Sequence, residues 1–225
     1  MNINIKDKIG LNPTANIYGE RDQPANIKLG SNDKQSETDT FLGQLFTEME
    51  SCINLEDGII YVFSDIDDTV QYEIMAKTKS ILRYREHSGK NNGDPINLIL
   101  NSDGGNVHSA FGIIDYINTL DVPVNTITIG RAFSAAAMIL IAGTGVRLAS
   151  KNASIMFHEI SADHFGKSSD LKANTAHLND LETYALNIIA PKSNKPKEWW
   201  ADKITKDFYM SSTQALELGV IDKII

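Results

Sequence analysis

One cysteine, Cys52, occurs in the 225 residues, so no disulfide can form within the chain, which fits a reducing compartment. Long hydrophobic runs are also missing. The longest, AAAMILIAG, is far below the roughly 18 residues that a membrane-spanning helix needs. Positive charge is scarce: 21 Lys and Arg stand against 29 Asp and Glu, for a net charge of -8 and a pI near 5.1. A chain so acidic is not expected to bind nucleic acid or an anionic membrane. The first ten residues, MNINIKDKIG, are polar and carry no hydrophobic signal-peptide segment. No G-x-x-x-x-G-K-[ST] loop for nucleotide phosphates occurs, and no internal repeat is visible. These absences lead us to expect a cytoplasmic protein with no cofactor and no ATP site of its own.

What is present is an ordinary globular composition, 42% hydrophobic and 22% charged, enough for one domain with a sizeable core. Residues 1–37 are rich in Asn, Asp, Lys, Gln and Ser and read as a flexible arm or a propeptide. Residues 38–225 read as the folded domain. Phe41, Leu42, Leu45, Phe46, Met49 and Ile53 recur at helical spacing behind a cap at Asp39 or Thr40. Apolar strands then alternate with helices. GIIYVFS, INLILNS, VNTITIG, VRLAS, ASIMFHE and a final VIDKII are the strands. The helices include 69–86, NVHSAFGIIDYINTL, and the small apolar run after Ser134. This alternation predicts an α/β fold with parallel strands covered on both faces. A long helix is predicted over about 168–190, capped at Ser168, with Asp170 in its first turn and a stripe of Leu171, Leu178, Leu181, Ala185 and Ile188. Pro191 and Pro196 close it and begin another helix. Ser211 and Gln214 form a capping box, and Gly219 ends the last helix.

Three stretches carry candidate chemistry. NSDGGN, residues 101–106, joins a strand to a helix, and its glycines let backbone N–H groups approach a ligand. By itself it reads first as a tight strand-to-helix turn. In GRAFSAAAMILIAG, residues 130–143, Ser134 opens a helix where the N-terminal field stabilises developing negative charge. By itself Ser134 reads as a helix cap, and A-F-S-A-A is not a G-x-S-x-G elbow. A base for it must come from His87, His108, His158, His164 or His177. His87 reads as part of a polar loop and His177 as part of an exposed helix face. His158 ends an apolar strand, the edge where parallel sheets bind ligands. Asp207, just before a short strand, is one of many acids able to orient it.

Residues 59–70, IIYVFSDIDDTV, imitate the first motif of haloacid-dehalogenase-type phosphatases, with Asp65 as nucleophile, Asp67 as acid and a magnesium ion between them. The late acidic pair that those enzymes need for the metal is missing. These aspartates read instead as the cap of the helix that follows.

Taken jointly, NSDGG, GRAFSAAA, IMFHE, the helix from Ser168, KDFYMS and LGVIDKII resemble the ClpP family, the proteolytic subunits of ATP-dependent Clp proteases. The intervals agree with that family: 29 residues from Gly105 to Ser134, 24 from Ser134 to His158 and 49 from His158 to Asp207. The resemblance spans roughly residues 58–225. It implies a crotonase-type α/β fold of repeated strand-strand-helix units with a protruding handle helix. It implies a serine endopeptidase with Ser134 as nucleophile, His158 as general base, Asp207 as its orienting acid, and the N–H groups of Gly105 and Ala135 as oxyanion hole. It also implies stacked heptameric rings enclosing the sites, unfolded polypeptides as substrates and an AAA+ unfoldase as partner. The sequence departs from the family where Asp103 replaces a proline, Ala135-Ala136 replaces Met-Gly, and Glu159-Ile160 replaces Gln-Pro. Asp103 sets a negative charge beside a hole meant for an oxyanion. Alternatives from the same fold are a phage-type capsid or scaffold maturation protease, a catalytically weak ring subunit, and a CoA-ester enzyme that uses the glycine hole without a triad.

Overall fold

The computed structural model describes residues 48–89, 93–162 and 165–225. The N-terminal arm, most of the helix expected from Phe41, and His164 lie outside them. Residues 48–50 are helical, but Ile53 belongs to a strand, β1 (Ile53–Asn54), antiparallel to β2 (Ile59–Val62). Helix α1 (Asp68–Ser88) follows. Asp67 caps it, its carboxylate accepting the Val70 N–H at 2.8 Å. Two bonds therefore occupy the acidic stretch that imitated a phosphatase motif, because Asp68 also accepts the Ser109 hydroxyl at 2.6 Å. His87 lies in the last turn of α1, not in a loop, where a cation suits the helix dipole.

Strand β3 (Ile96–Ser102) leads into α2 (Val107–Asn118), which Asn106 caps by accepting the His108 and Ser109 N–H groups. Strand β4 (Val124–Phe133) runs past the end expected at Gly130 and leads directly to Ser134 and α3 (Ala135–Ala142). The chain continues through β5 (Arg147–Ala149), β6 (Ser154–Phe157), the long α4 (Ser168–Ile189), a 3₁₀ turn, α5 (Lys197–Lys203), β7 (Phe208–Ser211), α6 (Ser212–Glu217) and β8 (Lys223–Ile224).

The sheet order is β1-β2-β3-β4-β5-β8, parallel from β2 onward. A second branch leaves β4: β6 pairs parallel with it, and β7 pairs antiparallel with β6. Strand β4 serves both branches because it turns at Gly130. Residues 126–128 pair with β5, and Arg131–Phe133 pair with β6. Gly130 has φ +91°, and a Cβ there would lie 2.7 Å from the Asn101 side-chain oxygen, so only glycine suits the turn.

The larger core gathers side chains from helices α1 to α6, with α3 buried along its whole length and Trp200 fully buried. The other face of the central strands holds a smaller cluster of strand residues, Ile59, Ile99, Ile127 and Leu148, so described helices cover one face only. The long helix begins at Ser168 as its first residue, with Lys167 at the cap position and no side-chain cap. Its apolar stripe divides. Leu181 and Ala185 are buried, whereas Leu171 is exposed. The C-terminal half of α4 thus packs on its own chain and the N-terminal half extends beyond it. The capping box at Ser211 and Gln214 is present, and Gly219 takes φ +73° just after α6.

Candidate active site

Two strand-to-helix junctions meet at the sheet's C-terminal edge, where β3 passes into α2 and β4 into α3. At the second, Ser134 adopts φ +52° and ψ -121°, one of two non-glycine residues among those described with positive φ. Such a backbone is strained for a residue with a Cβ and persists only where its surroundings impose it. The Ser134 N–H donates to the Met156 carbonyl at 2.8 Å, and its carbonyl accepts the Met138 N–H at 3.1 Å. Ser134 occupies the cap position of α3, but its side chain caps nothing. Its hydroxyl lies instead 2.8 Å from Nε2 of His158. The sharp turn does what an elbow does: it lifts the hydroxyl off the helix and presents it at the sheet edge.

The first junction packs directly against the second. A Cβ on Gly104 would sit 2.8 Å from the Ser134 Cβ and 2.6 Å from the Phe133 carbonyl oxygen. Gly105 has φ +141° and lies against the Ile66 backbone, so a side chain would collide there too. Ile66 donates to the Gly104 carbonyl and accepts from the Asn106 N–H, both at 2.7 Å. That parallel bridge turns the N–H of the intervening Gly105 away from Ile66. The Ala135 N–H, first in α3, has no acceptor inside its helix. Gly105, Ser134 and Ala135 all line one cleft of about 320 Å³.

Asp103 does not line that cleft. Its carboxylate is held in a fork by Arg131, with contacts of 2.6 Å and 2.7 Å. Arg131 was not singled out in the sequence. The signal was an opposite charge three residues before Ser134, meaningful only once β3 and β4 are known to be neighbours.

The cleft floor is apolar, formed by Met138, Phe157, Leu181, Ala185, Ile189 and Ile204. His108 and His177 stack at its wall with centroids 5.8 Å apart. Glu182, also in the wall, titrates above the ordinary glutamate range. Burial is the larger cause and the charge of Glu159 the second, opposed by the Ile160 N–H. His87 lies on α1 and does not line the cleft.

His158 continues β6, and Asp207 immediately precedes β7. The β6–β7 ladder pairs Phe157 with Phe208, so the next antiparallel pair is His158 with Asp207. Directly opposed residues share a face of the sheet. Asp207 is exposed, and its carboxylate accepts the Tyr209 hydroxyl at 3.4 Å. Among the described residues no hydrogen bond joins it to His158. Tyr209 in turn packs edge-on against Phe133, centroids 5.6 Å apart. Among the described residues no group of three or more metal-ligating side chains occurs, and no helix is long and apolar enough to cross a membrane.

Comparison with known proteins identifies the family. The family model for Clp protease matches residues 44–225. The ATP-dependent Clp protease proteolytic subunit of Porphyromonas gingivalis is 34% identical over 170 residues, 75% of this chain and 74% of that protein. The ATP-dependent Clp protease proteolytic subunit 1 of Tropheryma whipplei is 32% identical over 173 residues, 76% of this chain and 81% of that protein. The ATP-dependent Clp protease proteolytic subunit 2 of Chlamydia muridarum is 30% identical over 172 residues, 76% and 82%. A sheet edge bearing a serine on a strained turn, bonded to a histidine, thus occurs in a chain that belongs to the Clp protease family and is a serine-type peptidase.

Proposed function

We propose that Ser134 is the nucleophile of this peptidase and His158 its general base. The observation that carries the reading is the 2.8 Å contact between the Ser134 hydroxyl and His158 Nε2, made by a serine that forgoes the cap bond its position offers. In the reaction, the hydroxyl attacks the scissile carbonyl while Nε2 takes its proton. The carbonyl oxygen becomes an oxyanion between the N–H groups of Gly105 and Ala135. The imidazolium then protonates the leaving amine, and water repeats the sequence on the acyl-enzyme. Fixed donors at such a hole act most strongly where charge develops, and losing one costs about 3 kcal/mol of transition-state stabilisation.

Asp207 is the orienting acid in this reading. Extending the β6–β7 register by one residue sets it opposite His158, and to bond Nδ1 it would have to leave the long bond to Tyr209. Catalytic hydrogen bonds often tighten only when substrate is bound. The apolar floor suits an extended, unfolded polypeptide better than a charged metabolite. Assembly into heptameric rings around an enclosed chamber, and delivery of substrates by a separate ATPase, complete the proposal. The relatives are named subunits of an ATP-dependent protease, and this sequence has no phosphate-binding loop of its own.

A fluorophosphonate probe tests the chemistry. The wild type is expected to take the label and hydrolyse short peptides, and Ser134→Ala to lose both. Labelling that survives Ser134→Ala sinks the assignment. Native mass spectrometry is expected to find heptamers or paired heptamers, and a stable monomer contradicts the chamber.

A further inference from the structure

The Asp103 carboxylate lies two residues before the Gly105 N–H that the proposed function assigns to the oxyanion hole. A free carboxylate there opposes the charge that the hole must stabilise, since a unit charge at a few ångströms is felt even through a partly wet site. Loop 103–105 has little else to hold the side chain. Its backbone is tied down by Ile66 and by the Ser102 hydroxyl, which accepts the Gly104 N–H at 3.1 Å, but no other bond is made by the Asp103 side chain among the described residues.

Arg131 supplies what is missing. It stands on the second half of β4, beyond the Gly130 turn, where its neighbour Ala132 pairs with Ser102 of β3. Its guanidinium meets both carboxylate oxygens, Nε to one at 2.6 Å and a terminal nitrogen to the other at 2.7 Å. A planar fork of this kind fixes direction as well as charge. Neither residue borders the cleft. The Arg131 N–H also donates to the Asn101 side chain at 3.3 Å, so the base of the fork is fastened to the strand that carries the glycine loop.

We propose that Arg131 is a positioning residue for the peptidase reaction: it turns Asp103 away from the oxyanion hole and cancels its charge, so that the Gly105 N–H faces the cleft without a competing carboxylate. The inference rests on the serine-peptidase site proposed above. Asp103 is then not a defect of this chain but half of a pair, and Arg131 acts through it without touching substrate.

The ion pair is about half exposed, so it adds little to folding stability. A structural role and a positioning role therefore predict different results. In assembled wild-type protein and variants, kcat and KM for a short fluorogenic peptide are measured together with the melting temperature and fluorophosphonate labelling rate. For Arg131→Ala we expect kcat and labelling rate to fall about five- to tenfold with KM nearly unchanged, the size expected of one uncancelled charge near the reacting atoms. Arg131→Ala combined with Asp103→Asn is expected to recover most of the loss, and Asp103→Asn alone to keep wild-type activity or exceed it. The proposal is overturned if Arg131→Ala retains full kcat, or if the double variant stays as slow as Arg131→Ala. A wild type that takes no probe overturns the serine assignment and this inference with it. A labelled wild type with an unchanged Arg131→Ala overturns this inference alone.

Discussion

The serine end and the histidine end of the site are built from different materials. At the serine end the backbone does the holding. Ser134 is bonded through its N–H and its carbonyl, Gly104 packs against it so closely that a side chain there would collide with its Cβ, and Ile66 clasps the glycine loop from behind. At the histidine end, side chains and one short ladder do the holding. His158 and Asp207 stand one step beyond the last rung of β6 and β7, and Asp207 leans to Tyr209. Backbone bonds are hard to alter without refolding the loop, whereas a carboxylate on an exposed edge changes partner by rotation alone. Under the proposed roles, the nucleophile and hole are thus preorganised, and the proton-handling arm is adjustable.

That contrast can be broken in order of expected effect. Asp207→Asn is expected to lower kcat by about 10⁴-fold if Asp207 orients His158, with the fold unchanged by circular dichroism. Near-normal turnover would remove Asp207 from the mechanism. Gly104→Ala attacks the rigid end, where the new Cβ would meet Phe133 and Ser134 at 2.6 Å and 2.8 Å. Turnover and probe labelling are expected to fall together by about 10²–10³-fold, the size of a lost oxyanion donor. Tyr209→Phe attacks the adjustable end gently. It removes the 3.4 Å competitor for Asp207, so kcat is expected to hold or rise by no more than about threefold, as befits a long and exposed bond. A large loss in this variant would mean that Tyr209 supports the triad and does not divert it.

The smallest effect concerns pH. Glu182 is protonated more readily in the fold than in the unfolded chain, mainly through burial and then through Glu159. Its contribution to stability is complete below the ordinary glutamate value of 4.5 and is lost as pH rises through the raised value. Glu182→Gln should therefore flatten the fall in melting temperature over that window. An unaltered slope would show that Glu182 does not cause it.

Much of this was legible in the sequence, for reasons that differ by residue. Asp67 could be placed as a cap because capping is a local bargain between one side chain and the next turn. Spacing alone could not choose among the histidines or acids; the family pattern selected His158 and Asp207, which the strand register, extended one residue, sets opposite each other. The turn at Gly130 escaped notice because a strand that changes partners halfway looks no different from one that stops. His87 looked like loop because its neighbours are polar, although α1 carries it in the last turn. The Ser134 backbone was invisible for a deeper reason. Its positive φ is imposed by Gly104, Met156 and α3, and nothing in A-F-S-A-A demands it.

The β6–β7 ladder has one more consequence. Side chains alternate faces along a strand, so a slip of a single residue would carry Asp207 to the side opposite His158. The ladder has only four rungs before that pair, and its other end is anchored where Ser211 faces Ser154 and begins the capping box with Gln214. The chain therefore sets its chemistry by counting. A hydroxyl that starts a short helix fixes the zero of the ruler, and four rungs later the proposed acid and base come level.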